Sequence, residues 1–247
     1  SFGLSYHTDR LYRSMRLLGI RPVTAPDEFT EIVEVVVEES EIEEGYVKII
    51  VTRGSDDHNF TIPARSALQP NVLVYGKPID LNAIEKVQSG VNCITLDDDR
   101  GHHCDILSLN QLNNMMARAE AQKKNCYDAV FIKDGLLTEA SHSNVCIVKA
   151  GVIWTPATNE HMIRGVTRSL VLTRAAPSAG VTSIDEASEP VRFEDMMTAE
   201  EVFLTNSQDG IIPVLSIDGN LIGGGKVGDV TQKIQAHYAH LMEDGLP

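Results

Sequence analysis

Three short groups in this chain have residue types and spacing suited to holding an anion. Gly165-Val166-Thr167 stands where a helical pattern begins, so N–H groups, the positive end of a helix dipole and a threonine hydroxyl would converge there. Alone, the same residues make an ordinary helix cap. Thr205-Asn206-Ser207 follows an apolar run and presents three polar side chains in a loop, which alone reads equally as a turn. Arg10, within an early helical pattern, is either a ligand cation or a surface residue. The stretch from Lys133 to Arg168 adds a carboxylate, Glu139, a polar loop and a hairpin close to the Gly165 helix start. The combination reads as a site for a phosphate-bearing cofactor.

These groups need elements to position them. Leu11, Met15 and Leu18 predict a helix over 5–18, stopped by Gly19 and Pro22. Pro26 opens a second, with Phe29, Ile32, Val33, Val36 and Val37 as its apolar face and Glu34, Glu38, Glu39 and Glu41 in solvent. Strands are expected over 47–52 and 72–75, and the Gly- and Pro-interrupted segment 76–80 reads as a linker. A strand over 91–96 precedes a helix from about Ser108 to Lys124, with Leu109, Leu112, Met116 and Ala119 on one side and Met115-Met116 read as core packing. Residues 128–149 read as strand, turn, strand, with Asp134-Gly135 suited to a type I′ turn. Ala150-Gly151 turns the chain into another strand. A helix runs from Gly165 to Ala176, strands follow over 181–184, 201–206 and 211–217, and a last helix carries Val230, Ile234, Tyr238 and Leu241. The alternation is irregular, which predicts an α+β fold in two domains. These are a small N-terminal domain over 1–80, expected to be incomplete at its start, and a larger cofactor-binding domain over 81–247.

Composition narrows the functional class. With 43% hydrophobic and 23% charged residues, 247 residues suffice for one large core or two smaller ones. The formal charge of -14 opposes nucleic acid and anionic membranes, leaving a small polar substrate as the expected partner. Cys93, Cys104, Cys126 and Cys146 show no metal-binding spacing, and no segment reads as secretory or membrane-spanning, so a reduced cytoplasm is expected. His102-His103-Cys104 lacks a carboxylate or cysteine at ligand spacing, and no metal site is read there. Gly223-Gly224-Gly225 lacks the lysine-serine pair of a phosphate loop and reads as a turn.

Several longer motifs carry a resemblance. They are HTDRLYRS at 7–14, VTRG at 51–54, CDILSLN at 104–110, LTEASHSNV at 137–145, RGVTR at 164–168, VFLTNS at 202–207 and GKVGDVTQKIQ at 225–235. With them the chain resembles the class IV aminotransferases, the fold-type IV family of pyridoxal 5'-phosphate enzymes, and is most like its D-amino-acid transaminase branch. The resemblance implies a two-domain α+β fold, a homodimer, and transfer of an amino group between an amino acid and a 2-oxo acid. Branched-chain aminotransferases and aminodeoxychorismate lyases share the scaffold.

The resemblance also implies roles. Arg10, Gly165, Val166, Thr167, Asn206 and Ser207 would hold the cofactor phosphate, Glu139 would pair with the pyridine nitrogen, and Ile163 would lie against the ring. Ser141, Ser143 and Asn144 would hold the loop around Glu139. His58 and Gln208 are the candidates for contact with the substrate, although Asp56 and Asp57 beside His58 disfavour a carboxylate. The catalytic position departs from the family: Leu107 stands where the family has the lysine that attaches to the cofactor and moves the proton. Leucine does neither. A deliberate replacement, a cofactor-bearing lysine written as another residue, and a natural member without the lysine all account for it. In the last case the protein would bind the cofactor or another ligand without transamination.

Overall fold

The computed structural model describes residues 1–55, 68–184 and 190–245. The chain divides into two compact units, Ser1–Asp80 and Leu81–Pro247.

In the first unit, α1 (Leu4–Leu17) reverses at Gly19, whose φ of 66° suits glycine after a helix end. Proline opens α2 (Pro26–Ser40), and Glu28 reaches back to accept from the Ala25 N–H at 3.1 Å. Tyr12 and Phe29 pack the helices edge to face, 5.8 Å between centroids. Of the expected apolar face, Phe29 and Val33 are buried, whereas Ile32 and Val37 are exposed because the apolar stripe is wider than the surface that meets α1 and the strands. β1 (Gly45–Thr52) pairs antiparallel with β2 (Asn71–Pro78). Gly76, Lys77 and Pro78 therefore complete a strand and are not a linker. Proline is tolerated because it ends the strand, and Gly45 opposite it lies so close to Lys77 O that an added Cβ would stand 2.5 Å away.

The second unit begins with α3 (Leu81–Gln88), a two-turn helix too short to stand out in the periodicity. There follow β3 (Val91–Asp97), α4 (Leu112–Lys123), β4 (Asp128–Lys133), β5 (Leu136–Ala140), β6 (Asn144–Lys149) and β7 (Val152–Trp154). Next, α5 (Val166–Leu170) continues through wider turns over Val171–Ala175 into α6 (Ala176–Ser178). β8 (Thr182–Ile184), α7 (Phe193–Met197), β9 (Glu201–Asn206), β10 (Gly210–Ile217), β11 (Asn220–Leu221) and α8 (Asp229–Asp244) complete the unit. Among the described residues the strands form one mixed sheet in the order β5-β4-β3-β10-β9-β6-β7-β8, with β11 beside β10. β3 runs parallel to both β4 and β10. Val130, Val145, Ile147, Val202, Leu204 and Ile212 are wholly or almost wholly buried in the main core.

The helix expected over 108–124 starts at Leu112 and is rotated relative to the expectation. Ala117 and Ala121 meet the sheet beside Ile94, Ala129 and Phe131, while Leu109, Leu112, Met115 and Met116 are each more than 60% exposed. Small residues on the buried face let the helix backbone approach the strands. Met115 and Met116 are accordingly not core residues.

Candidate functional site

The site grows from the hairpin of β4 and β5. Asp134 and Gly135 both have positive φ, 52° and 78°, and bring Leu136 back opposite Lys133, as the two-residue turn predicts. Further along β5 the register slips: Leu137 pairs with Ile132 and Ala140 with Val130, so Thr138 and Glu139 together oppose the single residue Phe131. This bulge turns two consecutive side chains toward one neighbour. That neighbour is Arg100, in the loop after β3.

Arg100 is buried and charged. Its Nε and Nη2 donate to the two oxygens of Asp98 at 2.9 and 2.8 Å, its Nη1 to Glu139 Oε1 at 2.5 Å, and its Nη2 to His161 O at 2.9 Å. Thr138 Oγ1 donates to Asp98 Oδ2 at 2.7 Å, and the guanidinium lies 4.3 Å from the Phe131 ring centroid. Burial pushes the Asp98 carboxyl up, but the hydrogen bonds from Arg100 and Thr138 outweigh it and hold the group below the usual carboxylate range. Burial likewise opposes charge on Arg100, and its two carboxylate partners more than restore it.

Glu139 is the least comfortable member. Burial pushes its carboxyl up to about 7, against the opposing pull of Arg100 and of the Ile163 N–H, which donates to Oε2 at 3.0 Å. Asn144 Nδ2 adds a contact to Oε2 at 3.3 Å and donates to Ile163 O at 2.8 Å, while Asn144 Oδ1 accepts from the Gly165 N–H at 3.1 Å. One amide side chain thus joins Glu139, Ile163 and the helix start at Gly165. A Cβ on Gly165 would stand 2.1 Å from Asn144 Oδ1, so the approach needs glycine. Beyond it, Val166 and Thr167 are buried in the first turn of α5, where N–H groups lack intrahelical acceptors. Thr167 Oγ1 lies 3.4 Å from the Tyr238 hydroxyl of α8.

The polar loop 140–143 is anchored from beneath. Asp128, fully buried, accepts from the Ser141 N–H at 3.2 Å, from the Ser141 hydroxyl, and from the Ser143 hydroxyl at 3.3 Å. Asn206 Nδ2 reaches Ser143 Oγ and Tyr127 OH, both at 3.2 Å, while its Oδ1 accepts from the N–H groups of Gln208 and Asp209. Its side chain therefore shapes the loop after β9, on which Ser207 and Gln208 are exposed.

Arg10, His58 and Leu107 remain of the expected residues. Arg10 is on α1 in the first unit, its Nη2 3.4 Å from His7 Nδ1, with burial lowering its pKa. His58 lies outside the described residues. Leu107 is 44% exposed in the loop before α4, not at a helix start. Sequence reasoning missed Arg100, Asp98, Asp128 and Tyr127. The one available signal was an arginine closing the acidic run 97–99 at the end of an apolar strand.

The donor set fits the non-covalent part of a pyridoxal phosphate site. A buried carboxylate of raised pKa stands beside a helix start that only glycine permits, and Thr205 Oγ1, buried at the end of β9, has no hydrogen-bond partner among the described residues. Leu107 does not fit a covalent attachment.

The family model for amino-transferase class IV matches residues 1–217. D-alanine aminotransferase of Bacillus licheniformis is 36% identical over 234 residues, which are 95% of this chain and 80% of that protein. The solved structure of the branched-chain amino acid aminotransferase of Escherichia coli superposes with a TM-score of 0.86 at 22% identity, covering 98% of this chain and 80% of that one. The pyridoxal phosphate form of the branched-chain amino acid aminotransferase of Thermobaculum terrenum gives 0.84 at 21% identity, covering 98% and 79%. On the family match and the shared length with the Bacillus enzyme, this chain belongs to the class IV aminotransferases, whose cofactor is pyridoxal 5'-phosphate.

Proposed function

We propose that this chain moves an amino group between a D-amino acid and a 2-oxo acid, working with pyridoxal 5'-phosphate as a homodimer in the cytoplasm, with Leu107 limiting turnover. One observation carries the reading: Glu139 is buried beside the Gly165 helix start, held by Arg100, Asn144 and the Ile163 N–H. Glu139 would face the pyridine nitrogen and Ile163 the ring, and Val166, Thr167, Ser207 and Arg10 would take the phosphate. His58 and Gln208 would face the substrate. When bound, the cofactor supplies an electron sink for the bonds at the substrate's Cα. With the cofactor bound, Glu139 would favour a protonated ring nitrogen, and Arg100 holds that carboxylate in orientation. Asn206 and Ser143 fix the loop that carries Ser207.

A base must still move the proton at Cα. The side chain of Leu107 has no lone pair. A lysine-less, cofactor-binding role is the second reading, and Leu107 is the observation that favours it.

Reconstitution with pyridoxal phosphate and assay of D-alanine with a 2-oxo acid tests both. Leu107→Lys should raise turnover by about 100-fold or more. A Leu107→Lys chain that retains the cofactor but transfers nothing from D- or L-amino acids overturns the aminotransferase reading. Preference for L-amino acids overturns the D assignment. The mass of the peptide spanning position 107 decides whether an unmodified leucine is present.

The exposed apolar run Leu107, Leu109, Leu112, Met115 and Met116 supports a homodimer. Sedimentation should give a dimer that Met115→Glu weakens; a wild-type monomer overturns this. The free thiols of Cys93, Cys104 and Cys126 support a reducing compartment, and no helix among the described residues is long and apolar enough to cross a membrane.

A further inference from the structure

His102, Glu160 and His161 come from two separate loops of the second unit, and each offers one ligand atom within 4.8 Å of the others. The two imidazoles lie 5.7 Å apart, tilted by 40°, and Glu160 Oε1 is 3.9 Å from His161 Nε2. Consecutive residues diverge on a strand, but Glu160 and His161 occupy a turn over 159–162, which lets both side chains converge on His102.

The backbone beneath the cluster is already fixed. Asn159 Oδ1 accepts from the His161 N–H at 2.8 Å, the Cys104 N–H donates to Glu160 O at 2.8 Å, and Arg100 Nη2 donates to His161 O at 2.9 Å. Only side-chain rotation separates the cluster from a metal set. Nitrogen and oxygen ligands about 2.0–2.2 Å from a tetrahedral zinc stand roughly 3.4 Å apart. His102 and Glu160 are exposed, and turning their side chains would close that difference. Two imidazoles and one carboxylate suit zinc-class ions over magnesium or calcium, and the chain's charge of -14 favours a cation.

We propose that His102, Glu160 and His161 form a surface site for one divalent transition-metal ion of the zinc class, with water in the fourth position. The ion clamps the loop at 101–104 to the turn at 159–162. Because that turn carries the carbonyl that accepts from Arg100 and leads directly to Ile163, the clamp stiffens one wall of the Glu139 site. The site does not depend on amino transfer.

Calorimetric titration of the metal-free, full-length chain with Zn2+ alone tests it. One ion should bind per chain, His102→Ala, Glu160→Gln and His161→Ala should each weaken it by more than about tenfold, and Cys104→Ser and His240→Ala should leave it unchanged. Zn2+ should raise the thermal midpoint of the wild type but not of His102→Ala. Circular dichroism of each variant guards against misfolding, and the exposed position of His102 makes its variant the decisive one. Equal affinity in wild type and His102→Ala, affinity that follows Cys104, or no saturable binding overturns the proposal.

Discussion

Arg100 Nη1 donates to Glu139 Oε1 at 2.5 Å, and both side chains are less than 10% exposed. The arginine is also bidentate to Asp98, so one cation serves two buried carboxylates. The arrangement carries a net negative charge out of water, and the strain falls on Glu139, whose pKa rises while that of Asp98 falls. The bulge at Thr138-Glu139 makes this possible, because regular pairing would send those two side chains to opposite faces. The same carboxylate is the one proposed above to face the cofactor ring.

Removing the cation should therefore be costly. Arg100→Met leaves Asp98 and Glu139 buried without a counter-charge, and unfolding in urea at neutral pH should show a loss of about 3–5 kcal/mol. Glu139→Gln in the same background should recover part of that loss. Strictly additive single and double variants would mean that the two side chains do not act as a pair.

Stability should depend on pH through Glu139. In the folded chain it takes up its proton near 7, against an ordinary value of 4.5. Between those values the folded state holds more protons, so its contribution to stability is present at low pH and declines as pH rises through the window. His7 acts oppositely. Burial and then Arg10 pull its imidazole from 6.5 down to about 4, so its contribution is present at high pH and is lost as pH falls through that interval. The wild-type curve combines both slopes. Subtracting the Glu139→Gln curve from it should leave a component that falls from pH 4.5 toward 7; a flat difference would refute the raised Glu139 pKa.

Much of the framework was legible in the sequence for identifiable reasons. Asp134-Gly135 encodes its turn because both positions need positive φ, and Pro26 and Gly19 mark helix ends by the same local chemistry. Motif resemblance, not periodicity, pointed to Glu139 and Asn144. The Arg100 pair was not legible: its partner Glu139 is 39 residues away, and the bulge that orients it depends on pairing between strands. Gly76–Pro78 looked like a break because composition does not reveal that proline falls at a strand end. For α4, periodicity identified a common face but not which face meets the sheet.

That last point gives a direct test. Ala117 and Ala121 lie against β4, whereas Met116 is 62% exposed. Ala117→Leu should overpack the interface and lower stability by about 1–3 kcal/mol, while Met116→Ala should change the stability of the isolated fold by less than about 0.5 kcal/mol. The reverse order in chemical denaturation would mean that α4 packs on its methionine face.

Gly165→Ala tests the junction between the carboxylate and the helix start. The added methyl would stand 2.1 Å from Asn144 Oδ1, and Asn144 cannot retreat freely because it also contacts Glu139 Oε2 and donates to Ile163 O. Either α5 moves or the amide swings away, and both outcomes break the bond from the Gly165 N–H. Stability should fall by about 1–3 kcal/mol. Pyridoxal phosphate affinity should fall as well, since the carboxylate and the first turn lose their shared brace. Asn144→Ala removes the clash together with the brace, so Gly165→Ala should cost much less stability in that background than in the wild type. Equal costs in the two backgrounds would show that the methyl meets something other than Asn144, and unchanged cofactor affinity in Gly165→Ala would separate the helix start from the cofactor site.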